Sequence, residues 1–399
     1  MKAIVICNNL LKKNSPAALI EQDLLDEMSR RGVEIKAYCS SLDVSFSPSD
    51  KYKTVIVKES KFWKYFFGVI RLIIPDLAYL PDYRYISWGR KLKGLILKDL
   101  RSDTFDYIHS FSFEQSCHWL AFKLKREYNI PWVATFFDSW TDYPSRRYRF
   151  SFLKDLDRKM ERLVAENADL IVHNNIGIAK KWTERYGDEI SKKIVIIPLN
   201  IDFSKEKYVV DNVRNPKKLQ ISHIGTFYPN RDAGAFIEAV AVFVKRYPHL
   251  REKIQVNFVG RVLSCDIEKI KNLQLTDVFN ITGRLSAQEC QNYYNKSNVF
   301  LSTAGLTVEN ITYPSKIIKY FYYRKPILGI SPKGSILELE LVKTKNWCYS
   351  PQDIDGIVNF LYMGVTDYKQ ICDIDHDYWK NFDVSNIGER YHRSINTIL

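Results

Sequence analysis

Short hydrophobic runs alternate along this chain with longer segments whose apolar residues recur at helical spacing. Residues 3–7 (AIVIC) predict a buried parallel strand, residues 15–31 an amphipathic helix that Gly32 stops, and residues 33–38 (VEIKAY) the next strand. A strand–helix–strand opening of this kind is typical of an open, mostly parallel, doubly wound sheet. The same rhythm predicts strands at 54–57, 107–109, 132–136, 169–172 and 194–197, and helices at 113–127 and 153–166.

This pattern is interrupted at residues 203–217, where the sequence becomes polar and unpatterned, as in a linker. A second alternating set follows, with strands predicted at 219–224, 254–259, 278–282, 299–301 and 327–330 and helices ending near 245 and spanning 287–296. The fold class is therefore α/β, with two Rossmann-like doubly wound domains facing a central cleft. In such a fold we expect the ligand at the carboxyl ends of the strands.

Residues 61–100 differ in character from the rest, because aromatic residues are interleaved there with Lys and Arg and acids are few. The mixture suits an anionic membrane surface, where cations meet headgroups and rings enter the acyl boundary. It also suits single-stranded nucleic acid. The structural alternative is a set of core helices whose long cationic side chains reach to solvent.

Charge and cysteine usage narrow the possible partners of the protein and its cellular compartment. The chain has 399 residues and a formal net charge of +13, which favours an anionic partner: nucleic acid, an acidic membrane or a phosphorylated small molecule. No secretory signal is evident, and charges and a proline interrupt the apolar region 62–80, so it cannot span a bilayer unaided. The seven cysteines are scattered, which predicts free thiols in a cytoplasmic protein, with peripheral attachment to the inner membrane face an option.

Two strand-to-helix turns of the second domain contain residues suited to binding phosphate. In the loop 225–231, Gly225 allows close backbone approach, Thr226 offers a hydroxyl and Arg231 a guanidinium, a set that predicts a pyrophosphate clamp. Gly260 and Arg261 follow the next strand in the same way. An ordinary β–α turn with a surface arginine explains the first loop about as well.

The segment 312–330 (TYPSKIIKYFYYRKPILGI) predicts a helix followed by a short buried strand. Pro314 and Ser315 are a helix start, and we expect the Ser315 side chain to cap the first turn. A capped helix N-terminus that faces a cleft favours a phosphate or a sugar hydroxyl, with Lys316 beside it. The alternative is an ordinary helix–strand unit of the sheet.

In the first domain, polar residues follow the predicted strands. Asp138 lies between Phe137 and Trp140 and is the stronger candidate for catalysis; His109 could relay a proton, although a histidine there is more often structural. Asn8 and Asn9 follow the first strand and are candidates for binding hydroxyls. Asn174 and Asn175, after a later strand, are further candidates.

Taken in order, the motifs resemble those of GT-B glycosyltransferases, in particular the retaining family 4 group. The motifs are AIVIC, RRGVEIKAY, LPDYRYISW, FDYIHSFS, ATFFDSWTDYP, ADLIVHNN, IIPLNID, HIGTFYPNR, VNFVGR, ITGRLS and YPSKIIKYFYYRKPIL. The resemblance implies an N-terminal acceptor-binding domain (1–203), a C-terminal nucleotide-sugar-binding domain (204–375) and a terminal helix (376–399) that crosses back to the first domain.

Several family features are altered. The cations that hold the donor's diphosphate usually stand at +1 and +6 after the loop glycine; here these positions are Thr226 and Arg231, so one cation is lost. The family's glutamate pair would fall on Ile311 and Lys319, with Glu309 two residues from the first. Lys319 has no acceptor capacity, so the usual carboxylate contact to the ribose is not inherited there.

The function implied is sugar transfer from a nucleotide diphosphate sugar to a saccharide, as in cell-surface glycan synthesis, with a lipid-linked acceptor preferred and with retention. No metal, cofactor or nucleic-acid partner is expected. The alternatives are a GT-B sugar-nucleotide epimerase and a non-catalytic relative that binds a nucleotide or polyanion. The candidates are: catalytic, Asp138 and His109; donor-binding, Gly225, Thr226, Arg231, Gly260, Arg261, Glu309, Pro314, Ser315, Lys316 and Lys319; acceptor-binding, Asn8, Asn9, Trp88 and Trp140.

Overall fold

The structure, a computed structural model, divides the chain into two compact units. Unit 1 comprises Met1–Asp202 and Asn381–Leu399, and unit 2 comprises Phe203–Lys380. The residues described are 1–8, 10, 15–41, 49–81, 85–112, 115–143, 146–206, 216–229, 231–305 and 311–399. Asn9 and Glu309, two of the candidate site residues, lie outside them.

Within the described residues, unit 1 is built on a seven-stranded parallel sheet in the order β3-β2-β1-β4-β5-β6-β7. Its strands are β1 Lys2–Ile6, β2 Glu34–Ser41, β3 Lys53–Lys58, β4 Tyr107–Phe111, β5 Trp132–Phe136, β6 Leu170–His173 and β7 Ile194–Ile196. The chain winds outward in one direction from β1 and in the other from β4, so the sheet has a crevice at the carboxyl ends of these two strands.

In the described part of unit 1, three helices lie where the apolar spacing predicts them, with small shifts at their ends, and four more had no predicted bounds. They are α1 Pro16–Arg30, α2 Lys61–Ile73, α3 Arg90–Ser102, α4 Ser116–Tyr128, α5 Ser151–Asn167, α6 Ile176–Tyr186 and the single turn α7 Asp188–Ser191. Gly32 adopts a φ of +86° after α1, the left-handed conformation that ends many helices and that glycine adopts without strain.

Unit 2 has a six-stranded parallel sheet, within the described residues, in the order β10-β9-β8-β11-β12-β13. Its strands are β8 Leu219–Ile224, β9 Ile254–Val259, β10 Phe279–Gly283, β11 Val299–Thr303, β12 Ile327–Ile330 and β13 Trp347–Tyr349. Its helices are α8 Gly234–Arg246, α9 Ser264–Asn272, α10 Ala287–Lys296, α11 Lys316–Tyr322, α12 Ile336–Lys343 and α13 Ile354–Thr366. The winding direction reverses between β8 and β11. The α/β class and the paired doubly wound sheets predicted from the sequence are confirmed.

The chain returns to unit 1 through its last helix, α14 Val384–Asn396. This helix begins later than the segment 376–399 suggested, because residues Tyr378–Phe382 form a 3-10 turn first. The Arg31 guanidinium donates a 2.7 Å hydrogen bond to the carbonyl of Ser385, and the Tyr391 hydroxyl lies 3.4 Å from that of Thr135 on β5. Helix α14 therefore covers part of the core of unit 1.

The basic and aromatic segment 61–100 divides into two structurally different parts. Helix α3 buries Leu92 and Ile96, as the core-helix alternative expects. Helix α2 instead exposes apolar side chains, with Leu72 84% and Tyr65 73% exposed. Among the described residues, no helix combines the length and apolar character needed to cross a membrane.

Candidate functional site

The point where the sheet of unit 2 reverses direction is enclosed by two glycine turns that touch each other. Gly225 and Gly260 have φ values of +140° and +130°, and the Gly225 N–H donates a 2.7 Å hydrogen bond to the carbonyl of Val259. A Cβ atom on Gly260 would lie 2.3 Å from the Gly225 carbonyl oxygen, which no side chain could tolerate. The glycine at position 260 is thus required by backbone-on-backbone contact.

Lys316, the first residue of α11, extends into this region. Its Nζ lies 2.8 Å from Nε2 of His223 on β8, and a Cβ on Gly225 would lie 3.2 Å from the same Nζ. Part of the Lys316 side chain is exposed, but its amino group is desolvated, and it is the desolvation of this group that shifts the pKa. Burial, reinforced by the charge of Arg231, lowers the pKa of Lys316 from 10.5 to about 7.

His223 was not predicted as a site residue, because the sequence of its strand (LQISHI) predicts only a buried strand. Its Nδ1 lies 3.1 Å from the carbonyl oxygen of Leu301, which can only accept, so Nδ1 carries the proton and Nε2 is left to accept from Lys316. Its ring stacks on Phe227 with centroids 3.8 Å apart. Burial, and then the charge of Lys316, holds the pKa of His223 well below its usual value, so the ring is neutral.

The loop after β8 is held by short-range contacts. The Arg231 N–H donates 2.8 Å to the carbonyl of Tyr228, and the Arg231 carbonyl accepts 3.2 Å from the hydroxyl of Thr303 at the end of β11. Thr226 is half-buried and Arg261 is exposed. The structure therefore brings Lys316 of α11 to the loop that contains Gly225, Thr226 and Arg231.

The start of α11 differs from the prediction. Ser315 has helical backbone angles (φ −49°, ψ −26°), and its side chain makes no capping hydrogen bond, so the expected cap is wrong. The Ile317 N–H donates 2.9 Å to the carbonyl of Pro314, which shows that the helical turn begins there, one residue too early for Ser315 to cap it. Tyr320, on the same helix, accepts a 3.0 Å hydrogen bond from the Ile224 N–H and fixes α11 to the end of β8.

Lys319, which stands where the family has a glutamate, has well-defined partners. Its Nζ lies 2.8 Å from a carboxylate oxygen of Glu206 and 4.6 Å from the ring centroid of Tyr294. A carboxylate is thus present near position 319, but it belongs to Glu206 on another segment and is engaged by the lysine.

In unit 1, Asp138 lies two residues beyond the end of β5 and is half-buried, as expected for a strand-end residue. His109 is not at a strand end, because β4 continues to Phe111. Its Nε2 lies 2.9 Å from the Thr135 hydroxyl, and burial lowers its pKa to about 3. His109 is therefore a neutral core histidine, which corrects its expected position.

The proposed acceptor-binding residues are mostly buried structural groups. Trp88 and Trp140 are both 0% exposed, and the Trp140 indole N–H donates 2.8 Å to the carboxylate of Asp157. This corrects the expectation that the two rings are accessible to an acceptor. Asn8 is buried at the end of β1, where its side-chain oxygen accepts 2.9 Å from the Ser40 N–H. Asn175 likewise caps α6.

Comparison with known proteins agrees with this architecture. Residues 22–205 match the model of Glycosyltransferase Family 4. Sucrose-phosphate synthase from Thermosynechococcus elongatus superimposes with a TM-score of 0.66 at 13% identity, over 100% of this chain and 98% of its own. The Anabaena protein HepE, solved in complex with UDP and glucose, gives a TM-score of 0.65 at 13% identity, with 100% of both chains covered. No curated protein sequence matches significantly.

The lipopolysaccharide outer core galactosyltransferase WaaB, in its apo form, gives a TM-score of 0.67 at 12% identity, again over 100% of both chains. At such identities the structural likeness extends to the fold alone. It shows that the chain has the two-domain GT-B fold of these structures. The part that matches Family 4 is residues 22–205, somewhat less than half of the chain.

Proposed function

We propose that the protein transfers a sugar from a nucleotide diphosphate sugar to a saccharide acceptor, with retention of the anomeric configuration. Unit 2 binds the donor and unit 1 the acceptor. The observation that carries the proposal is the cationic site at the reversal point of the second sheet, where Lys316 lies beside Gly225 and within the field of Arg231. A diphosphate has the charge and the acceptor oxygens that suit such a site.

The HepE structure, which contains UDP and glucose, supports this choice of ligand by analogy. In the proposed complex the diphosphate lies over the glycine turn, and Thr226 and Arg231 donate hydrogen bonds to its oxygens. Pro314, Ser315 and the exposed Arg261 are candidates for further donor contacts. As the glycosidic bond to the donor breaks, negative charge builds on the leaving diphosphate, and the fixed cations stabilise it. No metal is invoked.

Asp138 is the residue of unit 1 that we propose as a hydrogen-bond acceptor for a sugar hydroxyl during transfer. It is half-buried directly after β5, where a doubly wound sheet places ligand-binding residues. His109 has no part in this scheme, because it is enclosed in the core of unit 1.

The donor reaction can be tested with purified protein and a panel of UDP-, GDP-, ADP- and TDP-sugars, with release of nucleoside diphosphate as the readout. We expect one of these nucleotide sugars to be hydrolysed slowly in the absence of an acceptor and to give up its sugar faster when a saccharide is present. Arg231→Met should lower kcat/KM by about 10²-fold or more. Arg251→Met is the matched control, since Arg251 forms an ion pair with Asp277 at the opposite, amino-terminal end of β9.

Other outcomes would identify other functions. Conversion of the sugar nucleotide without an acceptor would indicate an epimerase. Binding of nucleoside diphosphate without any turnover would indicate a non-catalytic relative. Proton NMR of the first-formed product would decide whether the anomeric configuration is retained.

We further propose that the acceptor is lipid-linked and is met at an anionic membrane surface through α2. The exposed apolar residues of this helix recur at the spacing of one face: Phe62, Tyr65, Phe66, Val69, Leu72 and Ile73. The sequence has no acid between residues 60 and 74 and has Lys61 and Arg71 there. An apolar face with flanking cations suits an anionic lipid surface.

A second exposed aromatic group lies next to this helix. The carboxylate of Asp76, in the turn after α2, accepts a 3.0 Å hydrogen bond from the Phe150 N–H. Phe150 and Phe152 are 42% and 63% exposed, and Arg147 and Arg149 before them are exposed as well. The aromatic and basic character of α2 therefore continues on the neighbouring loop and the first turn of α5, which enlarges the surface available to a membrane.

Vesicle co-sedimentation tests this surface. We expect the protein to bind vesicles that contain roughly 30% anionic phosphatidylglycerol, to bind pure phosphatidylcholine vesicles little, and to lose binding at high salt. Leu72→Ser with Ile73→Ser should reduce binding, since each side chain buries apolar area worth about 1–2 kcal/mol. Val342→Ser, which alters an exposed apolar residue of α12, should have no effect. Equal binding by the α2 variant would exclude this helix as the contact.

A further inference from the structure

The loop after β8, residues 225–231, contains one cation, Arg231, and has the uncharged Thr226 directly after Gly225. The structure places another cation in the same small volume. Lys316 Nζ lies so close to Gly225 that a Cβ there would be 3.2 Å away. A lysine from α11 therefore lies beside the glycine that precedes the uncharged Thr226.

The surroundings of Lys316 disfavour its charged form in the empty site. Its hydrogen-bond partner is the neutral His223 rather than a carboxylate, and the nearby charge acting on it is that of Arg231, which repels it. Lys319, on the same helix, pairs with Glu206, so that carboxylate is already engaged. Tyr320 is held by the Ile224 N–H. A bound anion would remove the repulsion and supply the missing counter-charge.

We propose that Lys316 is the second cation of the donor's diphosphate site, that His223 holds its Nζ in place in the empty site, and that diphosphate binding is coupled to uptake of one proton by Lys316. This inference rests on the proposed function. The proton balance is simple: the neutral amine takes a proton from the buffer and becomes an ammonium ion, which then donates to the phosphate oxygens. No covalent bond forms or breaks.

Isothermal titration calorimetry with nucleoside diphosphates (UDP, GDP and ADP) measures the proton uptake directly, when repeated in Tris and in HEPES, whose ionisation enthalpies differ. With a free-site pKa of about 7, we expect an uptake of about 0.9 proton at pH 8 and ~0.5 at pH 7. At pH 8 the ligand itself is fully ionised, since the second pKa of a phosphate group is about 6.

Three variants separate the possible roles of the lysine. Lys316→Met should bind at least about 10-fold more weakly and without proton uptake. Lys316→Arg, which is charged at every pH used, should bind without uptake. Arg231→Met should bind more weakly but keep most of the uptake. Circular dichroism of each variant confirms that it is folded.

The failures can be told apart. If the wild-type protein binds a diphosphate without proton uptake, or Lys316→Met binds as tightly as the wild type, the assignment of Lys316 is overturned and the proposed function stands. If none of the diphosphates binds to folded wild-type protein, the donor site itself is wrong, and both proposals are overturned.

Discussion

Replacing Lys316 by methionine should make the protein more stable near neutral pH, although the substitution removes a hydrogen bond. In the folded state burial lowers the pKa of Lys316 to about 7, whereas in the unfolded chain the lysine keeps its ordinary value of 10.5. Between these two values the unfolded state binds more protons than the folded state. The stability of the wild type must therefore rise with pH across this window, and below about pH 7 the full penalty of burying the ammonium is present.

The size of the effect follows from the shift. One pKa unit corresponds to about 1.4 kcal/mol, so a fully sealed site would carry a penalty of about 5 kcal/mol below pH 7. Because Lys316 is partly exposed, solvent screening reduces this to ~2–3 kcal/mol. Methionine has a similar length and no charge, but it leaves Nε2 of His223 without its donor, which costs about 1 kcal/mol at any pH. We expect Lys316→Met to be more stable at pH 6.5, with the advantage smaller by ~1–2 kcal/mol at pH 8.5.

Urea unfolding of both proteins at the two pH values measures this difference. Lys333→Met is the matched control, because it removes an exposed lysine of the same unit. A Lys316→Met variant whose stability relative to wild type does not change with pH would refute the reasoning, since it would mean that the buried lysine titrates alike in the folded and unfolded states.

Three further outcomes can be checked by unfolding and by kinetics. Lys319→Glu places two carboxylates together and should destabilise unit 2 by about 1–2 kcal/mol; the exchange of Lys319→Glu with Glu206→Lys should restore most of it, and no recovery in urea melts would contradict the pairing. Gly260→Ala should destabilise by ~3 kcal/mol or more through a backbone clash, against about 1 kcal/mol for Gly283→Ala, which has a φ of +71° but open space around it. Because burial lowers the pKa of His109 to about 3, His109→Gln should leave the pH profile of kcat/KM unchanged above pH 5, and loss of a limb near neutrality would give His109 a catalytic role.

Most of the fold follows from apolar spacing, since buried parallel strands and amphipathic helices have distinct periods. The glycine turn after β8 was also predictable, because a glycine between a strand and a helix indicates close backbone approach. What spacing cannot show is which distant residues meet. Lys316 and His223 are 93 positions apart, and only the adjacency of β8 and α11 brings them within hydrogen-bonding distance.

Two kinds of site prediction failed for physical reasons. Trp88 and Trp140 were predicted to bind an acceptor, yet both rings are buried, and the indole N–H of Trp140 donates to the buried carboxylate of Asp157. Ser315 has the residue type of a helix cap, but the helical turn already begins at Pro314. Composition around a residue does not reveal whether its side chain points into the core, and a capping residue is defined by backbone angles that the sequence does not specify.

The return of α14 to unit 1 affects the order in which the protein can fold. During synthesis at about 5–20 residues per second, all of unit 2 emerges before residues 384–396, on which part of the core of unit 1 depends. Unit 2 can thus complete its fold while α1 and β5 still lack the helix that contacts them through Arg31 and Thr135. Unit 1, although synthesised first, is therefore the last to complete its fold. Until α14 is made, the face of α1 that it covers is exposed, and we expect chaperones to bind there and proteases to cleave truncated chains there.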